Sequence, residues 1–233
     1  MIANGALVNQ KNNKGETILM KACYVKKLKV VKLLIVNGAF VNLKNNNGDT
    51  ALTKACYVGN LKIVEFLIVN GAFVNQKNNK GDTVLMEVCY FENFEIAKLL
   101  IANGARVDLK NNEGDTALTK ACLVGGFEVV KSMLAHNAHV DLKNCVGKSA
   151  MMFACLFRHV DIALLLVDSS NMDVVDCNDR TVLEYAVCTQ SLELVSKVAE
   201  RANLSEFDMR VCYDHGTLEI VQLIRSRASA RRV

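Results

Sequence analysis

The stretch Lys44-Asn45-Asn46-Asn47-Gly48-Asp49-Thr50-Ala51-Leu52-Thr53-Lys54-Ala55-Cys56 decides the fold, because its pattern returns along the chain. Its glycine recurs as Gly15, Gly48, Gly81, Gly114 and Gly147, each 33 residues from the last. Two residues on comes a hydroxyl (Thr17, Thr50, Thr83, Thr116, Ser149), and six further a cysteine (Cys23, Cys56, Cys89, Cys122, Cys155). A lysine stands four residues before each glycine: Lys11, Lys44, Lys77, Lys110 and Lys143. A fixed period of this length marks a stacked repeat protein, in which each unit buries its apolar face against the next.

Each unit reads the same way. The Asn/Gly cluster is a turn, and Thr50 is placed to cap a short helix over 51–58. Gly59-Asn60 breaks that helix. Leu61, Ile63, Val64, Phe66, Leu67 and Ile68 then give a second helix with a wide apolar stripe. Asn70-Gly71 ends it, with Gly71 where a left-handed cap is expected.

This turn–helix–turn–helix unit resembles the ankyrin repeat. That family's pattern is a turn, T-P-L-H-x-A-A, a G-H break, a longer helix and G-A-D-V-N. The matching stretches here are Thr50-Ala51-Leu52-Thr53-Lys54-Ala55-Cys56, Gly59-Asn60 and Gly71-Ala72-Phe73-Val74-Asn75. The resemblance covers nearly the whole chain and implies an all-α fold, an ankyrin-repeat solenoid of stacked helix–turn–helix units with projecting β-turn fingers.

The departures carry information. The chain has no proline, so no first helix has its opening turn pre-set. The family's histidine is replaced by Met20, Thr53, Met86, Thr119 or Met152, which removes its usual hydrogen bonds. The inter-helix glycine is replaced by Lys26, Glu92 and Arg158, each expected to cost about 1 kcal/mol if the turn stays left-handed.

Full units are expected at 11–43, 44–76, 77–109, 110–142 and 143–175, followed by 176–201 after a one-residue deletion and by 202–228. With a partial repeat at 1–10 they make one domain over 1–228, ahead of a basic tail at 229–233. Ser205-Glu206-Phe207-Asp208 reads as a capping box, and Leu218-Glu219-Ile220-Val221 as the start of the closing helix. The first nine residues match Leu100 to Asp108, so the chain opens inside the end of a second helix. Either it is a piece of a longer array, the favoured reading, or its first face is uncapped. The chain is expected to be a monomer, with association through that face as the exception.

Composition narrows the function. Residues 225–233 hold four arginines and no acid; without them the basic and acidic residues balance at 24 each. A neutral body argues against a broad phosphate-binding face, so nucleic acid is not expected. No apolar run is long enough to span a bilayer, and the first ten residues lack a secretory pattern. A reducing cytosolic or nuclear compartment follows. The cysteine ladder reads as a replacement for the family's second small alanine; its spacing suits neither disulfides nor zinc. The histidines His136, His139, His159 and His215 read as surface groups, with Asn137 in a C-cap glycine position. No nucleophile, P-loop or metalloprotease motif occurs. The expectation is a protein that is not an enzyme and carries no cofactor or metal.

The resemblance implies that partners bind the concave side, formed by the turn fingers and the first helices. The ladders there are Lys44, Lys77 and Lys110; the acids Asp49, Asp82 and Asp115; Lys54 on the first helix; and, at that helix's end, Tyr24, Tyr57, Tyr90, Leu123 and Leu156, followed by Val58, Phe91 and Phe157. Tyrosine is enriched at interfaces, so three stacked tyrosines read as a binding stripe, or else as a cover over the second helix. The expected function is a scaffold for a protein or peptide partner. The alternatives are a targeting array cut from a larger multidomain enzyme or effector, and anion binding by the lysine ladder.

Overall fold

The computed structural model describes residues 8–203 and 216–230, the last three of these as backbone only. Those residues hold thirteen helices and no strand; the fingers contribute two isolated antiparallel bridges, Lys77 with Thr83 and Val175 with Thr181. They divide into two compact units, Met1–Asn112 and Glu113–Val233. The capping box expected at 205–208, and the match of the first seven residues to a second helix, lie outside the described residues.

The first unit contains α1 (Ile18–Tyr24), α2 (Leu28–Val36), α3 (Ala51–Tyr57), α4 (Leu61–Val69), α5 (Val84–Tyr90) and α6 (Phe94–Ala102). First helices pack on first helices, α1 on α3 and α3 on α5, and second helices do likewise, α2 on α4 and α4 on α6. The second unit contains α7 (Ala117–Val124), α8 (Phe127–Ala135), α9 (Ala150–Leu156), α10 (Val160–Leu166), α11 (Val182–Cys188), α12 (Leu192–Arg201) and α13 (Leu218–Ala230). There α7, α9 and α11 stack in order, as do α8, α10 and α12, and α13 closes on α12.

The first helices begin where their hydroxyls stand. Thr17, Thr50, Thr83, Thr116, Ser149 and Thr181 each accept from the backbone N–H three residues on. Each such cap contributes about 1 kcal/mol. The expected loss of bonds at the family's histidine position is only partial. Thr53 Oγ1 accepts from Thr50 N at 3.2 Å, and Thr119 Oγ1 accepts from Thr116 N at 2.9 Å, so threonine closes a capping box there. The core lies between the helix layers. In the second repeat Leu52, Ile63, Val64 and Leu67 are buried with at most 1% exposure, each contributing about 1.5–3 kcal/mol. Cys23, Cys56, Cys89, Cys122 and Cys155 are equally buried and pack as small apolar groups.

The fingers are stitched repeat to repeat. Asn45 Oδ1 accepts from Asn47 N and Asp49 N, which shapes the turn. Asn79 N then donates to Asn47 O at 2.9 Å. Gly48 needs to be glycine twice over: its φ is +82°, and a Cβ there would lie 2.7 Å from Asn79 N. The left-handed turns expected at Lys26, Glu92 and Arg158 are present, with φ between 58° and 59°. Gln190 extends that series to the sixth repeat, and Asn137 takes the same conformation at its C-cap position.

Candidate functional site: the finger and first-helix face

In the first unit the carboxyl ends of the first helices bring aromatic rings together. Tyr24 and Tyr57 stack with ring centres 6.2 Å apart and planes 19° apart. Tyr57 meets Phe91 edge to face at 5.0 Å, and Phe91 meets Tyr90 at 5.3 Å. These contacts join the two neighbouring positions of each helix end into one run, a link that the spacing of the tyrosines alone does not reveal. The three tyrosines keep 51–52% of their surface exposed and Phe91 keeps 45%. Val58 beside them is half-buried. The rings thus lie against one another while about half of each tyrosine's surface stays open.

An open pocket of about 510 Å³ adjoins this run. Lys14 and Glu16 of the first finger line it, with Met20, Lys21 and Tyr24 of α1 and Lys54 and Tyr57 of α3. In the second unit, Leu156 and Phe157 hold the corresponding positions at the end of α9, 44% and 46% exposed. Leu123 at the end of α7 is half-buried.

The charged ladders are engaged within the protein. Lys44 Nζ donates to Lys77 O at 2.8 Å, and Lys77 Nζ to Lys110 O at 2.6 Å. Lys11 and Lys143 donate likewise, to Lys44 O and Val175 O. Within each unit these lysines tie one finger to the next. The acids are inward: Asp49 and Asp115 are 8% and 5% exposed, and pair with Lys54 at 2.8 Å and Lys120 at 2.7 Å. Asp82 accepts from Asn111 Nδ2 at 2.7 Å, and five residues on it faces Glu87 instead of a lysine. Burial pushes the Glu87 carboxyl up, and Asp49 and Asp82 push it further. The bond from Asn78 and the charge of Lys54 pull it back only in part, to about 7.

The balance of charge over the body conceals an uneven distribution. The first full repeat, 11–43, carries seven lysines against Glu16 alone. Acids elsewhere in the body offset these lysines in the sum, so the first repeat carries a local positive excess that the net charge does not display.

Other polar groups are structural. Tyr185 O–H donates to Asp176 Oδ2 at 2.7 Å, with Arg180 3.1 Å from the same oxygen. Burial alone would raise the Asp176 carboxyl, but Tyr185, the backbone N–H groups of Asn178 and Arg180 and the guanidinium together hold it below its ordinary value. His159 is half-buried and not a surface group: Nε2 lies 3.2 Å from Leu123 O, and the ring packs on Gly125, where a Cβ would sit 2.6 Å away. His215 lies outside the described residues. Burial pushes the thiols of Cys23 and Cys155 up to about 12 and raises Cys56 and Cys89 as well. Such thiols are poor nucleophiles. Among the described residues no cluster of three His, Cys, Asp or Glu is placed to hold a metal, and no helix is long and apolar enough to cross a membrane.

The stacked helix pairs, capped by hydroxyls and linked by fingers, define an all-α repeat protein. The family model described as ankyrin repeats (3 copies) matches residues 1–78, 59–144 and 125–208, and the chain belongs to the ankyrin-repeat family. No curated protein matches it. Ankyrin repeats are in general protein–protein interaction modules, and typically not catalytic.

Proposed function

We propose that this chain is a scaffold that binds a protein or peptide partner on the finger and first-helix face of its first unit. The reading is carried by the half-exposed aromatic run Tyr24–Tyr57–Phe91–Tyr90. Aromatic side chains already held against one another lose little freedom on binding, and bury a large area. The pocket beside the run gives a partner side chain a place to insert. Anion capture by the lysine ladder is disfavoured, because Lys11, Lys44, Lys77 and Lys143 already donate to backbone carbonyls.

The test is capture of partners from a lysate with the full chain and with a Tyr57→Ala/Tyr90→Ala variant, each checked for an unchanged helical spectrum. Each alanine is expected to weaken a genuine partner by about 1 kcal/mol or more, so proteins held by the parent chain should be depleted from the variant. An identical set of captured proteins, held equally well, contradicts the reading.

A further inference from the structure

We infer that the partner segment seated against Tyr24 and Tyr57 is acidic, presenting an Asp or Glu carboxylate next to an apolar or aromatic side chain. This rests on the binding face proposed above and specifies the chemistry of what occupies it.

The pocket walls hold three ammonium groups, Lys14, Lys21 and Lys54, against one carboxylate, Glu16. Lys54 is committed to Asp49 at 2.8 Å. Lys21 holds the corresponding position one repeat earlier, but its arrangement differs. The acid five residues before it is Glu16, whose Oε2 accepts from Asn12 Nδ2 at 3.3 Å. Among the described residues no ion pair joins Glu16, or any other carboxylate, to Lys21 or Lys14. Lys120, in the second unit, is paired as Lys54 is. The first repeat therefore lacks, at the edge of the pocket, the pair seen in repeats two and four, and leaves an exposed ammonium beside the tyrosine stack.

The surroundings reinforce the sign. The repeat that supplies α1 has seven lysines and one acid, and charges within a Debye length of about 8 Å add to the local potential. The apolar requirement comes from the rings: two tyrosines stacked at 6.2 Å offer a broad face above the Met20 floor. A carboxylate placed on Lys21 gains a charge-assisted hydrogen bond, while a neighbouring apolar side chain covers the rings. A phosphate backbone fits less well. Glu16 stands among the lysines, and the regular ladder that would track successive phosphates is spent on carbonyls.

The test is selection of a random peptide library displayed on phage against the full chain, followed by affinity measurements on the recovered peptides. Expected are peptides rich in Asp and Glu beside Tyr, Phe or Leu. They should bind the parent chain at least tenfold more tightly than a Lys14→Glu/Lys21→Glu variant of unchanged thermal stability, and more weakly as salt rises. Recovery of neutral or basic peptides, or of none, overturns the inference, as does equal binding to the charge-reversed variant. A single-stranded DNA oligonucleotide that binds as tightly as the peptides also contradicts it. A Tyr24→Ala/Tyr57→Ala variant separates the two levels. If it loses peptides that show no charge preference, the binding face stands and its acidic occupant falls. If it binds the peptides as well as the parent does, the face itself falls.

Discussion

Repeats two and three are near copies on the same backbone, yet they are held together differently. In repeat two, Lys54 pairs with Asp49, Gly59 fills the left-handed turn, and Asn60 caps the second helix through Ile63 N at 3.1 Å. In repeat three, Glu87 faces Asp82, Glu92 takes the left-handed turn at φ 58°, and Asn93 sends its amide to Cys56 O at 3.5 Å instead of capping its own helix. At three positions repeat three carries the less stable choice. The difference teaches that a repeat's contribution is set by a few side chains at fixed registers, while the shared turn and core maintain the fold.

Six substitutions break or sharpen that contrast. The largest effect is expected at Lys54→Ala, which leaves the buried Asp49 without its ion pair and Glu87 without its one attractive charge. A loss of about 2 kcal/mol in urea unfolding is expected. Next is Glu87→Lys, which rebuilds in repeat three the pair seen in repeat two. It should raise stability by about 1–2 kcal/mol at pH 8 and little at pH 4. The sign follows from the raised carboxyl. Folded Glu87 holds its proton up to about 7, against an ordinary value of 4.5. This group therefore costs nothing below pH 4.5, and its penalty grows as pH rises toward 7 and is complete above it. A stability profile in which the Glu87→Lys gain is flat between pH 4 and pH 8 contradicts that assignment.

Smaller still is Glu92→Gly, expected to gain about 1 kcal/mol by relieving the left-handed strain; thermal unfolding measures it. The reverse change, Gly59→Glu, should cost more, since a Cβ there also meets Asn93 Oδ1 at 3.0 Å. The smallest contrast is between Asn60→Ala, which removes a helix cap and should cost about 1 kcal/mol, and Asn93→Ala, which removes only a long bond and should cost about half of that.

Much of this was legible in the residues. The 33-residue ladders gave the helix pairs, the hydroxyl caps and the left-handed turns at Lys26, Glu92 and Arg158, because those features depend on local spacing and backbone chemistry. What connects one repeat to the next was harder to read. Nothing in the spacing of Lys11, Lys44 and Lys77 shows that each ammonium reaches the carbonyl of the next finger. Phe91 joins the tyrosines through the packing of neighbouring helix ends, which a list of equivalent positions does not display. Charge summed over the whole chain balanced the lysines of the first repeat against acids far from them, so the one-sided charge beside the pocket was hidden.

The binding face is tested most directly by calorimetric titration of a captured partner into the full chain, Tyr57→Ala and Val69→Asp. Val69 is 84% exposed at the end of α4, a second helix that contributes no ring to the aromatic run, and serves as the control. The account predicts that Tyr57→Ala weakens binding about fivefold or more, as 1 kcal/mol requires, while Val69→Asp leaves it unchanged. Weakening by Val69→Asp with full affinity at Tyr57→Ala would contradict it.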